Sequence, residues 1–242
     1  MRLHVTGAGG YLGRELLRLA PEATSERVEV RDGDAVLALF RRLRPDVVLH
    51  TAYRQEERDV NVVGSENVAR AAATVGARLV HLSTDVVFDG RKGAAYVEED
   101  APSPVTDYGR AKADAEARVA AVHPEALIVR TSLIYGGGEP SKHELAARRA
   151  EGVFFTDEIR NPVQVTDLAQ ALLELAGSDV SGPLHVAGAD AVTRAEFAEL
   201  VRGGPVETAP APERRPLDCR LDSSRAQRLL RTRLRGVREV LG

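Results

Sequence analysis

A short apolar run, Leu3–Thr6, breaks into Gly7-Ala-Gly-Gly10-Tyr-Leu-Gly13, and a helical pattern over Tyr11–Leu19 starts inside that turn. Few folds begin this way. Glycines at 7, 10 and 13 permit a tight turn, close approach of a pyrophosphate to a helix amino terminus, and tight packing of helix on strand. Alone, a glycine-rich turn is a weak signal. Between a strand and a helix it predicts a dinucleotide site.

The chain then keeps alternating. Val28–Val30 reads as a strand, Asp34–Leu43 as a helix, Val47–His50 as an apolar strand and Val60–Ala73 as an alanine-rich helix. Leu79–Ser83 is a further strand, Tyr108–Val122 a helix and Ala126–Arg130 a strand. Apolar strands alternating with helices predict a parallel sheet covered on both faces. After Tyr135-Gly-Gly-Gly-Glu-Pro140 the pattern shortens. Helices are expected at Ser141–Ala150, Thr166–Leu175 and Arg194–Val201, and strands at Val153–Phe155 and Leu184–Val186. Thr193 caps the third of these helices, with Glu196 at capping-box spacing. Pro205–Pro216 reads as a loop, and the tail as short amphipathic helices. The expected fold is α/β: a Rossmann-type doubly wound parallel sheet over residues 1–135, with 163–180 packing back on it, and a small mixed lobe over 136–242 that binds substrate.

One part of a dinucleotide fold is missing. The second strand usually ends in an acid or an arginine that selects between a ribose hydroxyl and a 2′-phosphate. Only Pro21-Glu-Ala-Thr-Ser-Glu-Arg27 separates Ala20 from Val28, too little for a full helix and strand, so NADPH and NADH both stay open. Thr24, Ser25 and Arg27 are available to a phosphate; a plain loop is the simpler reading.

A net charge of −3, with 33 basic residues scattered among 36 acids, gives no electrostatic case for nucleic acid or an anionic membrane. Cys219 is the only cysteine, which excludes an internal disulfide and a thiolate metal cluster. The six histidines are isolated in sequence; His4, His50, His81 and His185 fall in or beside strands and read as structural, so no metal site is expected. With no leader-like or membrane-length apolar run, the expected location is the cytoplasm.

Tyr108-Gly-Arg-Ala-Lys112 places a phenol and an ammonium on one helix face. Ser83-Thr84-Asp85 stands at the end of a buried strand. An ammonium beside a phenol favours the phenolate and lowers its pKa, and a phenol so tuned transfers protons, as ketone reduction requires. The plainer reading is a surface helix with an unrelated tyrosine and lysine.

Further segments continue in a recognisable order: Arg31-Asp32-Gly33-Asp34, Arg44-Pro-Asp-Val-Val-Leu-His-Thr51-Ala52-Tyr53, Asn61-Val-Val-Gly64, Ser83-Thr-Asp-Val-Val-Phe-Asp-Gly90, Pro102-Ser-Pro104, Val129-Arg-Thr-Ser132, Asn161-Pro162, and Arg215-Pro216 with Leu221-Asp-Ser-Ser224. Together with the glycine turn and the Tyr–Lys pair they resemble the dTDP-4-dehydrorhamnose reductase-like group of extended short-chain dehydrogenase/reductases. The resemblance implies hydride transfer from NADPH or NADH to a keto group on a nucleotide-linked sugar. Tyr108 would protonate the alkoxide, Lys112 would hold the nicotinamide ribose, and Thr84 would hydrogen-bond the carbonyl. The cofactor would lie against Gly7, Gly10, Tyr11, Leu12, Gly13, Asp32, Gly33, Thr51, Ala52, Tyr53, Leu82, Thr131 and Ser132. Asp85, Val86, Leu133 and Arg160 would face the substrate alongside Thr84 and Tyr108, with Arg160 gripping a pyrophosphate. Asn61 would serve a proton relay or simply cap a helix. A homodimer is also implied.

Two departures bear on the substrate. Val86 replaces an aromatic common in this group, and Leu133 stands where some members carry tryptophan. Val86 also occupies the place of the second acid used by related dehydratases. An epimerase remains a rival, as does a non-catalytic dinucleotide-binding regulatory subunit, since relatives of this group include one belonging to methionine adenosyltransferase.

Overall fold

The computed structural model describes residues 1–242. Strands β1 (Leu3–Thr6), β2 (Val47–His50), β3 (Arg78–Thr84), β4 (Leu127–Thr131) and β5 (Gly182–His185) form one parallel sheet in that order. Every residue of β1, β2 and β4 is buried, as parallel strands covered on both faces must be. Alternation divides them between two cores. Val47 and Leu49 face helices α1 (Tyr11–Leu19) and α6 (Val165–Ala176), meeting Leu12, Leu16, Leu168 and Leu172. Val48 faces the other way, with Leu79 and Ile128, toward Phe40, Val68 and Val119 of α2 (Gly33–Leu43), α3 (Val63–Val75) and α4 (Asp107–Val122).

Register sets Thr6 opposite His50 and Thr84 opposite Thr131. The chain therefore leaves these strands along one carboxyl edge, where open α/β sheets place their ligands.

The strand expected at Val28–Val30 does not form. Thr24 alone bridges His4, its carbonyl accepting from Val5 N and its N–H donating to Leu3 O, both at 2.9 Å. The segment has no helix with which to return for a full strand. Val30 instead packs under α3, where Gly64 leaves it room. The sheet accordingly stops at β1.

Beyond β4, α5 (Lys142–Arg149) and α7 (Arg194–Arg202) lean together over a small core that includes Ala147, Phe154, Ala195 and Ala198. A neighbouring core gathers Leu133, Tyr135, Val192, Phe197 and Val237. Helix α6 packs back on the sheet, and β5 at Gly182–His185 pairs with β4 at its edge. Thr193 caps α7 by accepting from Glu196 N at 3.0 Å, but the Glu196 carboxylate goes to Arg238. The reciprocal capping box forms at Ser141 and Glu144 on α5. No helix is long and apolar enough to cross a membrane.

Candidate active site

Gly7 sits at φ +73°, and a Cβ there would lie 2.5 Å from Ala52 N. A Cβ on Gly13 would collide with the Gly7 carbonyl. These two contacts hold the turn against both α1 and the exit of β2, where the Thr51 hydroxyl donates to Thr6 O at 2.7 Å. Gly10 begins α1 without any side-chain cap, and Gly9 and Gly10 are exposed. The first N–H groups of α1 thus have no side-chain acceptor from the cap position, an arrangement that fits a pyrophosphate. Leu12 is buried beneath the turn, while half-buried Tyr11 donates its hydroxyl to Glu144 at 3.4 Å.

Other residues expected at the cofactor have defined places. Asp32 is exposed and caps α2, accepting from Ala35 N at 3.0 Å. Gly33 abuts Asn67, whose amide donates to Val30 O and Arg31 O. Tyr53 is exposed, its ring 6.0 Å from that of Tyr108. Asn61 clamps the loop after β2, accepting from Arg54 N and donating to Arg54 O.

The start of α4 is fixed by Thr106, which accepts from Gly109 N at 3.0 Å. This places Tyr108 in the first turn and Lys112 in the next. Lys112 does not turn to the phenol. Its Nζ donates to Leu82 O at 2.7 Å and lies 3.4 Å from His81 Nε2. Burial pulls the ammonium down to about 8, against the opposing field of Glu116. Burial pushes the Tyr108 phenol up, with Tyr53 and Asp85 adding to it. The expected lowering of the phenol's pKa by Lys112 is not found: desolvation dominates.

Thr84 ends β3, donates to Asp85 Oδ1 at 3.2 Å and caps the single turn Asp85–Val87. Buried Asp85 also accepts from Ser132 at 2.6 Å and lies 3.6 Å from Arg160 Nε. Burial raises its carboxyl above the usual range, opposed by Arg160, Ser132 and Thr84. Thr131 donates to Val186 O, Val86 is half-buried, and Leu133 is absorbed into the core beside Tyr135.

Arg160 is buried, and its guanidinium donates to the carbonyls of Ile159, Pro216 and Leu217. It fastens the 216–217 segment and does not reach out as a pyrophosphate grip. Sequence reasoning missed the groups around it. Arg215 pairs with buried Glu158, Arg194 donates to His143 Nδ1 at 3.2 Å, and Lys142 donates to Gln55 at 2.7 Å. Thr193 marks the start of α7 in the sequence, and the capping box at Ser141 fixes the start of α5 in the structure. Nothing local shows that those starts meet.

The strand histidines are packed within the sheet. His50 bonds Thr6 and Ser65 and stacks on His81 at 5.3 Å, while one ring nitrogen each of His4, His81 and His185 has no partner. No three His, Cys, Asp or Glu side chains converge as a metal site.

A glycine cradle, aligned strand ends and a tyrosine and lysine one turn apart define an NAD(P)-dependent oxidoreductase of the extended short-chain type. The chain belongs to the family described as RmlD substrate binding domain, whose model matches residues 1–242. It is 34% identical to a dTDP-4-dehydrorhamnose reductase of Mycolicibacterium smegmatis, over 99% of this chain and 84% of the relative. A solved hypothetical dTDP-4-dehydrorhamnose reductase from Sulfolobus tokodaii superposes with a TM-score of 0.85 at 30% identity, covering 97% of both chains. The Bacillus anthracis dTDP-4-dehydrorhamnose reductase in complex with NADP gives 0.86 at 25% identity, covering 99% of this chain and 96% of that one.

Proposed function

We propose that this protein reduces a keto group on a nucleotide-linked sugar, with Tyr108 as the proton donor. The supporting observation is the convergence at one carboxyl edge of the glycine cradle, Thr84 at the end of β3, and Tyr108 and Lys112 on the opening turns of α4. The names of the relatives, reductases of dTDP-4-dehydrorhamnose, agree with it.

A nicotinamide, when bound, supplies the hydride. The remaining work belongs to side chains. Gly7, Gly10 and Gly13 bring the α1 amino terminus to the cofactor's pyrophosphate, and Lys112 holds its ribose. The Thr84 hydroxyl orients the substrate carbonyl and stabilises charge developing on its oxygen. A phenol pushed up by burial stays protonated at neutral pH, which is the state a donor to a forming alkoxide must start in. Val86 offers no carboxylate to remove a proton from carbon, so reduction fits the site and dehydration does not.

The test mixes the purified chain with NADPH or NADH and a panel of nucleotide 4-ketosugars, following cofactor absorbance. Oxidation with at least one ketosugar is expected. Tight cofactor binding without oxidation by any of them would overturn the reductase reading in favour of a regulatory role.

A further inference from the structure

A threonine hydroxyl has one proton to give and two lone pairs to fill. At Thr84 Oγ1 the Val86 N–H approaches to 3.4 Å and Asp85 Oδ1 to 3.2 Å. The N–H donates, so it takes one lone pair. An ionised Asp85 can only accept, and the single hydroxyl proton then goes to its oxygen. Thr84 has nothing left to donate to a substrate carbonyl. A protonated Asp85 reverses the bond. Its O–H donates to Oγ1 and fills the second lone pair, which turns the threonine proton outward.

The neighbours leave a place for that proton on Oδ1. Oδ2 accepts from Ser132 at 2.6 Å and lies 3.6 Å from Arg160 Nε, so its lone pairs face donors. Oδ1 faces the Thr84 hydroxyl. Arg160 does not depend on an ionised Asp85. It donates to the carbonyls of Ile159, Pro216 and Leu217 and lies 3.6 Å from Glu158. The other titratable groups facing Asp85 are Arg194 on α7, Tyr108 on α4 and Cys219. Both arginines, Ser132, Thr84 and the Val86 N–H favour the carboxylate; burial outweighs them and raises the carboxyl. A buried acid kept neutral in this way serves as a hydrogen-bond donor.

We propose that Asp85 is a positioning residue that works as a neutral acid, turning the Thr84 hydroxyl proton onto the substrate carbonyl. No proton leaves Asp85 in the reaction. It sets the direction of one hydrogen bond, while Tyr108 remains the donor to the alkoxide. This assignment rests on the reductase reading above and adds the residue that makes Thr84 a donor.

Asp85→Asn tests it, because the amide donates to Thr84 and accepts from Ser132 without titrating. As pH rises through the Asp85 titration, the parent's kcat/KM for a ketosugar should fall by about 10²-fold, chiefly in kcat. D85N should hold the low-pH rate and lack that limb. Thr84→Val has no hydroxyl to turn; it should lack the limb too, at a rate about 10²-fold below the parent's plateau. D85N should add nothing in that background. Infrared spectra of the full chain read the same group without turnover. A protonated-carboxyl band absent from D85N should be present at about pH 6 and decline along the parent's kinetic curve. A D85N protein slowed at every pH with the parent's profile unchanged would overturn the proposal, since that marks a structural carboxylate. So would a parent with no such band at about pH 6. Failure of the reductase reading shows separately, as absence of cofactor oxidation by the parent, and the infrared result still decides the state of Asp85.

Discussion

The Lys112 ammonium donates to the Leu82 carbonyl at 2.7 Å, leaving the phenol one turn earlier on its own helix unbonded to it. Helix α4 and strand β3 are thereby joined. The bond also commits a buried cation to a single carbonyl and a neutral histidine, and this has a measurable signature.

Lys112 in the folded chain titrates near 8, below the roughly 10.4 of an exposed lysine. Below pH 8 both states carry the proton and the burial cost is fully present. Between the two values the unfolded chain binds more protons than the native one, so stability rises with pH. The relief amounts to about 3 kcal/mol. Urea unfolding of the parent and Lys112→Met at pH 7.5 and 10.5 should show their stability difference move in the parent's favour by about that amount. A constant difference would contradict a desolvated ammonium.

Tyr108→Phe removes a hydroxyl and little else. Turnover should fall by about 10²–10⁴ with cofactor affinity retained. Lys112→Ala should weaken both. Fluorescence titration with NADPH and NADH separates the two variants, and equal cofactor affinity in parent and Lys112→Ala would contradict the ribose-holding role.

Gly7→Ala places a Cβ against Ala52 N in a left-handed conformation. A cost of about 1–3 kcal/mol in stability is expected, together with loss of cofactor binding as the cradle opens. Calorimetric unfolding and cofactor titration on the same sample check both effects.

Arg130 and Glu116 form a buried pair at 2.8 Å, and Ser83 donates to the same carboxylate. Arg130→Met should destabilise by about 3–5 kcal/mol, because it strands a buried charge. The double variant Arg130→Met with Glu116→Leu should recover much of that loss. Denaturant midpoints of the four proteins in this cycle decide it, and equal losses in the single and double variants would contradict the pairing.

How much was legible follows from distance along the chain. Tyr11–Leu19 and Val47–His50 could be read to the residue because periodicity and turn chemistry act over a few positions. Val28–Val30 has strand composition yet forms none, since a strand exists only where a neighbour meets it, and the connection is too short to deliver one. Arg160 and Arg194 are both arginines beside strand or helix starts. One is consumed by carbonyls 56 and 57 residues away, and the other is left without an anion; composition contains neither outcome.

The sequence by itself determined the glycine turn, the Tyr108–Lys112 spacing, the cap at Thr193, and the order of strands and helices. Each depends on groups within about one helical turn of one another. Only the tertiary structure decided that Lys112 bonds β3 and that burial raises the phenol it was expected to acidify. It also ended the sheet at β1 and brought the starts of α5 and α7 together around unpaired cations. Those outcomes depend on desolvation and on partners set by long-range packing, which spacing along a chain does not encode.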